Sequence, residues 1–278
     1  MSTLNFKEDI KPLTPEEFQR FSDFIKNETG IYLKDIKMAL MSNRLYKRIK
    51  TLELSSFKEY FDYIFKKKNY AEIEILINTI STNETYFFRN ANQFHTLANH
   101  ILPNFLKNGK NRIKIWSAAC SSGEEPYTIA MVLDYKKYYE KMYIEILASD
   151  INTEMLENAN YGVYGKKRLR DVEPHYMVKY FDELKNEKYR IKPHIIKKVK
   201  FMQKNLIKDE FPFGIDIIFC KNVMIYFSRD DQKKLVNRLY KSLNHLGYLL
   251  IGHAESLYIL TDLYKYMKIN NTPIYFKE

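Results

Sequence analysis

The chain has 278 residues and carries 45 Lys and Arg against 34 Asp and Glu, a formal net charge of +11 at pH 7. An apolar share of 45% and an aromatic share of 15% exclude a disordered chain, and the length suits one large α/β domain with a smaller module. No run of about eighteen apolar residues marks a membrane span, and two cysteines suit buried thiols better than a disulfide framework.

The first residues, M-S-T-L-N-F-K-E-D, lack the apolar core of a signal peptide, so a cytoplasmic protein with no membrane insertion is expected. The six histidines form no H-x-H, H-E-x-x-H or Cys/His pairing, and no metal site is expected. The positive charge predicts an acidic partner without saying which kind.

Residues 14–80 read as helices throughout. Thr14, Pro15 and Glu17 have the form of a capping box with proline at the first helical position. Phe18, Phe21, Phe24 and Ile25 follow at helical spacing, and Gly30 ends the helix. A second helix over about 35–52 sets Met38, Met41, Leu45 and Ile49 on one stripe. Its other faces carry Lys37, Arg44, Lys47, Arg48 and Lys50 against Asp35 alone. That excess is either a solvated face or a docking surface for an acidic partner. Further helices are expected from Ser55/Ser56 and over about 70–80.

The next stretch, S-T-N-E-T-Y-F-F-R-N at 81–90, is richer in amide, acid, aromatic and guanidinium groups than a plain linker. A helix over 93–106 leads to a β-prone run with Ile113, Ile115 and Trp116. Seven small residues, Ser117 to Gly123, separate that run from a helical pattern beginning at Glu124. Strand, tight turn and helix form the unit with which an α/β sheet builds a ligand pocket at a strand's carboxyl end. Glu124 and Glu125 sit where the helix dipole favours carboxylates, and they would repel a pyrophosphate. The pocket is therefore read as suited to a cation-bearing ligand, or else as an ordinary βα turn.

A second strand over 143–148 ends in Ser149-Asp150. An acid there is placed to accept both hydroxyls of a ribose; the competing reading is a helix cap for the segment that follows. Residues 162–204 interrupt the α/β rhythm with short runs at 189–191 and 195–201, read as a small antiparallel hairpin subdomain. The parallel pattern resumes at 213–220, a nearly continuous apolar strand of the doubly buried kind. After K-N-V-M-I-Y-F come a helix over 229–244, a strand over 247–251, G-H-A-E-S and a closing hairpin around N-N-T-P.

Six stretches then stand together in order: T-N-E-T-Y-F-F-R at 82–89, W-S-A-A-C-S-S-G-E-E-P-Y at 116–127, A-S-D-I at 148–151, N-L at 205–206, F-C-K-N-V-M-I-Y-F at 219–227 and G-H-A-E-S at 252–256. In this the chain resembles the CheR family, the S-adenosylmethionine-dependent methyltransferases of chemotaxis receptors. The resemblance implies an α/β fold: a class I, Rossmann-like methyltransferase core with an N-terminal all-helical domain and a small inserted antiparallel β subdomain. The expected boundaries are a receptor-docking helical domain at 1–81, a linker contributing to the cofactor site at 82–92, and the methyltransferase domain at 93–278 with its insert at about 180–204.

Carried over residue by residue, the resemblance implies that Asn83, Thr85 and Arg89 lie at the cofactor. It gives one of Glu124 and Glu125 to the cofactor's ammonium and Asp150 to its ribose. Asn205, Leu206 and Asn222 surround the adenine side, and Tyr226 lies beside the transferred methyl. Lys221 stands where the family usually has arginine, so its backbone would serve in the contact. Arg89 either holds the substrate carboxylate or pairs with a nearby acid, and Tyr226 either lines the methyl path or anchors the core. The implied reaction moves a methyl from S-adenosylmethionine to receptor glutamates, giving glutamate methyl esters and S-adenosylhomocysteine. A carboxylate is already ionised at pH 7, so no general base is required.

The implied partners are the cytoplasmic domains of methyl-accepting chemotaxis receptors, met by a monomer without nucleic acid. The rivals are a nucleic-acid methyltransferase and a non-catalytic cofactor-binding regulator. Against the first, K-N-V-M-I-Y stands in place of an Asn/Asp-Pro-Pro-Tyr/Phe motif, and no aromatics interleave with the basic stripe. In some relatives the inserted subdomain grips a receptor's C-terminal pentapeptide through a glycine-bearing loop. Here residues 182–188 contain no glycine, and independence from that tether is expected.

Overall fold

The computed structural model describes residues 10–66, 69–270 and 272–278. The chain divides into two compact units, one of the residues up to Thr82 together with Tyr226–Ser228, the other of Asn83–Ile225 together with Arg229–Glu278. No helix among the described residues is long and apolar enough to cross a membrane.

The first unit is helical. In α1 (Pro15–Thr29) the Thr14 hydroxyl accepts from Glu17 N and the Glu17 carboxylate accepts from Thr14 N, while Gly30 closes the helix at φ +75°. A 3-10 turn at Asp35–Lys37 leads into α2 (Met38–Thr51). Ser56 caps α3 (Phe57–Phe65), and Asn69 caps α4 (Tyr70–Ile80). Phe18, Phe21, Ile25, Met41, Leu45, Ile49, Tyr60 and Leu76 close the core between these helices. Within this unit Ile31 pairs with Phe227 in a short antiparallel bridge, and Tyr32 N donates to Tyr226 O at 2.8 Å.

Two of the five cations expected on a docking face, both in α2, are engaged inside the unit. Arg44 Nη1 donates to the carbonyls of Thr79, Ile80 and Ser81 at 3.2, 2.7 and 3.1 Å, satisfying acceptors that the end of α4 leaves open. Arg48 makes a two-pronged pair with Glu72 at 2.8 and 2.6 Å, and Tyr60 donates to the same carboxylate at 2.8 Å. Glu72 is 2% exposed and needs these partners. Lys37, Lys47 and Lys50 are exposed.

The second unit opens with α5 (Ala91–Thr96) and α6 (Leu102–Lys107), joined by a π-helical turn over Leu97–Ile101 where one continuous helix is predicted. Leu102 N donates to Leu97 O across the wider turn, and Pro103 just after it has no N–H to continue the ordinary ladder. The central sheet contains β1 (Arg112–Ala118), β2 (Tyr143–Asp150), β6 (Val199–Gln203), β7 (Ile215–Cys220), β8 (Leu243–Ile251), β9 (Lys265–Ile269) and β10 (Thr272–Phe276). Its order is β6-β2-β1-β7-β8-β10-β9, with β10 antiparallel to both neighbours and the others parallel. The chain runs outward from β1 through β2 to β6, then resumes at β7 on the other side of β1. That makes the β1/β7 boundary the switch point at which open α/β sheets bind ligands. Connections include α7 (Glu124–Tyr135), α8 (Thr153–Tyr161) and α11 (Arg229–Ser242).

A second sheet, ordered β3-β5-β4, contains β3 (Val163–Gly165), β4 (Phe181–Leu184) and β5 (Lys188–Ile191), with the helices α9 (Pro174–Tyr180) and α10 (Pro193–Ile196) beside its strands in sequence. This differs from the expected 180–204 insert at both ends. β3 joins the small sheet, and β6 leaves it to pair in parallel with β2, Ala148 opposite Phe201. Lys200 within β6 and Lys197 and Lys198 just before it, which give the stretch the look of a peripheral hairpin strand, suit its place at an edge of the main sheet.

Candidate functional site

Four neighbouring strands of the central sheet end in stretches singled out by sequence: β6 before Asn205, β2 at Asp150, β1 before the 119–123 turn and β7 before Lys221. The turn after β1 alternates through the left-handed region, with Ala119 at φ +65°, Ser121 at +49° and Gly123 at +92°. Gly123 is the position that demands glycine, because a Cβ there would lie 2.8 Å from Ala159 Cβ and 3.2 Å from the Tyr164 hydroxyl. Cross-links hold the shape: Cys120 N donates to Ser149 O at 2.9 Å, and the Tyr164 hydroxyl donates to Ser122 O at 2.7 Å. The Ser121 hydroxyl is buried with no hydrogen-bond partner among the described residues.

Asp150 is 7% exposed, accepting from Ser121 N at 2.7 Å on one oxygen and from Asn152 N at 2.9 Å on the other. Burial pushes its carboxyl above the usual carboxylate range, against the pull of those N–H groups. The helix cap proposed as its alternative role belongs to Asn152, whose side chain accepts from Met155 N at 3.0 Å. Asp150 thus links the β1 turn to the end of β2.

The two acids of α7 separate in character. Glu124 is fully buried, accepts from the Ser122 hydroxyl at 2.8 Å, lies 3.5 Å from Arg168 Nε, and is pushed up by burial. Glu125 accepts from the Ser117 hydroxyl at 2.8 Å and pairs with Lys221 Nζ at 3.0 Å, its side chain 14% exposed. Lys221 Nζ also donates to Arg89 O at 3.1 Å and lies 4.8 Å from the centre of the Phe94 ring.

Arg168, which the sequence reading passed over, repeats this device on the other acid. It donates to the carbonyls of Thr85 and, at 3.5 Å, Asn83. Each acid is therefore matched by one cation, and each cation also holds a carbonyl of the 83–90 segment. Arg89 Nη1 turns back to Glu84 O at 2.6 Å, so its guanidinium engages a carbonyl rather than an acid.

At the far side, Asn222 adopts φ +57° at the end of β7. Its N–H and those of Met224 and Gly252 reach the carboxylate of Glu255 at 2.7–2.9 Å. Glu255 is the second residue without a role in the sequence reading; G-H-A-E-S at 252–256 is the signal that carries it. Asn205 accepts from Ile207 N at 2.9 Å and closes the turn after β6, and Leu206 is buried with its carbonyl held by Arg238 at 2.7 Å. Tyr226 belongs to the helical unit.

With this geometry in view, the comparisons with known proteins agree. The family model described as CheR methyltransferase, SAM binding domain, matches residues 83–272, and that described as CheR methyltransferase, all-alpha domain, matches residues 16–81. The chemotaxis protein methyltransferase of Borreliella burgdorferi is 38% identical over 270 residues, covering 91% of this chain and 95% of the relative. Chemotaxis protein methyltransferase 2 of Vibrio cholerae is 33% identical over 270 residues, covering 95% and 94%. The Escherichia coli chemotaxis protein methyltransferase is 34% identical over 249 residues, covering 88% and 85%.

The residues present fit S-adenosylmethionine. A buried carboxylate at the end of β2 suits paired hydroxyls, small residues bring backbone to the ligand, and the part-exposed Glu125 carboxylate suits an ammonium. The chain belongs to the CheR family of S-adenosylmethionine-binding methyltransferases.

Proposed function

We propose that this chain methylates the side-chain carboxylate of glutamates on the cytoplasmic domains of chemotaxis receptors, releasing S-adenosylhomocysteine. The observation that carries the reading is the match, over nearly the whole chain, to relatives named chemotaxis protein methyltransferases. When bound, S-adenosylmethionine supplies an electrophilic methyl on a sulfonium. The glutamate oxygen forms the new O–C bond as the C–S bond breaks, and no proton moves.

The work left to the protein is alignment and exclusion of water. Asp150 accepts the ribose hydroxyls. Glu125 is the better candidate of the two acids for the ammonium, because Glu124 is fully covered. Asn83, Thr85, Asn205, Leu206, Asn222 and the Lys221 backbone surround the cofactor. Arg89 holds the substrate carboxylate. Lys37, Lys47 and Lys50 steer the acidic receptor surface. The β4–β5 connection is three residues long with Asn186 and Glu187 left-handed, which supports action without a pentapeptide tether.

Methyl-labelled S-adenosylmethionine, offered in parallel with receptor cytoplasmic fragments and with RNA, tests the reading. Base-labile label on receptor glutamates is the expected result. Label on RNA overturns it in favour of a nucleic-acid methyltransferase, and cofactor binding without any transfer favours a regulator.

A further inference from the structure

Glu255 belongs to no strand or helix, yet it is the most heavily used acceptor at the carboxyl end of β7. Its Oε2 accepts from Asn222 N at 2.8 Å and from Gly252 N at 2.7 Å, and its Oε1 accepts from Met224 N at 2.9 Å. Val223 N contributes to the same carboxylate. Successive backbone N–H groups converging on one anion form a nest, here filled from within the chain by a side chain four residues past β8. A carboxylate is needed: a glutamine would offer one acceptor oxygen and turn an N–H donor toward the others.

The segment so held carries the site. Lys221 precedes it, and Asn222 is held in the left-handed region at φ +57°, a conformation asparagine tolerates better than most residues. The Met224 carbonyl, at the other end, accepts from Gln232 Nε2 at 2.8 Å. Gly252 leaves room for the arrangement, because a Cβ there would lie 2.7 Å from Glu255 Oε2, 2.9 Å from Asn222 Oδ1 and 3.0 Å from Asn222 N. Its glycine is required by this close approach, not by its own backbone angles.

We propose that Glu255 is a positioning residue for methyl transfer: its carboxylate sets the backbone of Asn222–Met224 so that Asn222 meets the cofactor. The proposal rests on the S-adenosylmethionine site described above. Burial raises the Glu255 carboxyl, as expected of an anion taken from water for a purpose its N–H partners only partly offset.

The test uses the full chain with the variants E255A, E255Q and G252A, with S-adenosylhomocysteine as the calorimetric probe and hydrogen exchange as the local readout. In E255A the amides of 222–224 should exchange at least tenfold faster while those of β1 and α7 keep their rates, and the dissociation constant should rise about tenfold. E255Q should recover part of both losses. G252A, which keeps the carboxylate but crowds it, should move both readouts the same way and covers the case in which E255A fails to fold.

Wild-type affinity in E255A or G252A, or exchange that quickens equally throughout the second unit, would overturn the proposal. A wild-type chain that binds S-adenosylhomocysteine but esterifies no receptor glutamate would overturn the substrate reading and leave this one standing.

Discussion

Replacing Arg48 by alanine leaves the Glu72 carboxylate buried without its cation. The pair is two-pronged, at 2.8 and 2.6 Å, with the Glu72 side chain 3% exposed and that of Arg48 25% exposed. Removing one partner of a buried pair costs about 3–5 kcal/mol. The partial exposure of Arg48 admits water to the vacated side, and Tyr60 still donates at 2.8 Å, so about 2–3 kcal/mol is expected here. Hydrogen exchange of the buried amides of α2 and α4 reads this directly, as opening about thirty- to a hundred-and-fortyfold more frequent. Lys47→Ala, one position away and exposed, should stay within about 0.5 kcal/mol of wild type. Replacing all three members, R48L with E72L and Y60F, should recover most of the loss, because neither the charge nor the Tyr60 hydroxyl is then left buried and unpaired. A change below about 0.5 kcal/mol in R48A would refute the reasoning and return Arg48 to the surface face.

Charge reversal at Lys37 and Lys47 together should slow receptor methylation and flatten its salt dependence without touching cofactor affinity, since exposed charges act within about 8–10 Å at ordinary ionic strength; unchanged kinetics would remove that face from docking. E125Q should lose S-adenosylhomocysteine affinity and also melt lower, because Lys221, with its side chain 3% exposed, is left unpaired. Adding K221M should restore melting but not affinity, and recovery of both would discard the ammonium role. Asp150, Glu124 and Glu255 all carry raised carboxyls, so what they contribute to stability is full below the unfolded carboxylate range and declines as pH rises through their folded values. The stability of the ligand-free wild type relative to D150N should therefore be greater at about pH 4.5 than at about pH 7.5 by denaturant midpoint; a difference that grows with pH would contradict the raised carboxyl.

Local chemistry was legible in the sequence wherever it acts over a few residues. The Thr14–Glu17 box, the Gly30 stop, the small-residue turn before Glu124 and the doubly buried strand before Cys220 all lie where composition and period place them. What the sequence hid depends on partners far along the chain. Arg44 and Arg48 read as free cations because the carbonyl and carboxylate that hold them lie 36 and 24 residues away. Arg168 sits in a basic run indistinguishable from a solvated one until the carbonyls of Thr85 and Asn83 are placed beside it. β6 alternates too weakly to reveal which sheet it joins, since an edge strand is buried on few positions. The π-helical turn before Pro103 has a visible cause but no visible consequence until the hydrogen bonds are traced.

The alternating left-handed residues of the 119–123 turn have a thermodynamic corollary. Fixing a backbone costs about 1–2 kcal/mol per residue, and five residues ordered by a ligand would subtract about 5–10 kcal/mol from its affinity. Here the tie from Cys120 to Ser149, that from Ser121 to Asp150 and the packing around Gly123 order the turn during folding. On the proposed cofactor site, a ligand would meet this wall ready-made, and its affinity would be spared that ordering cost.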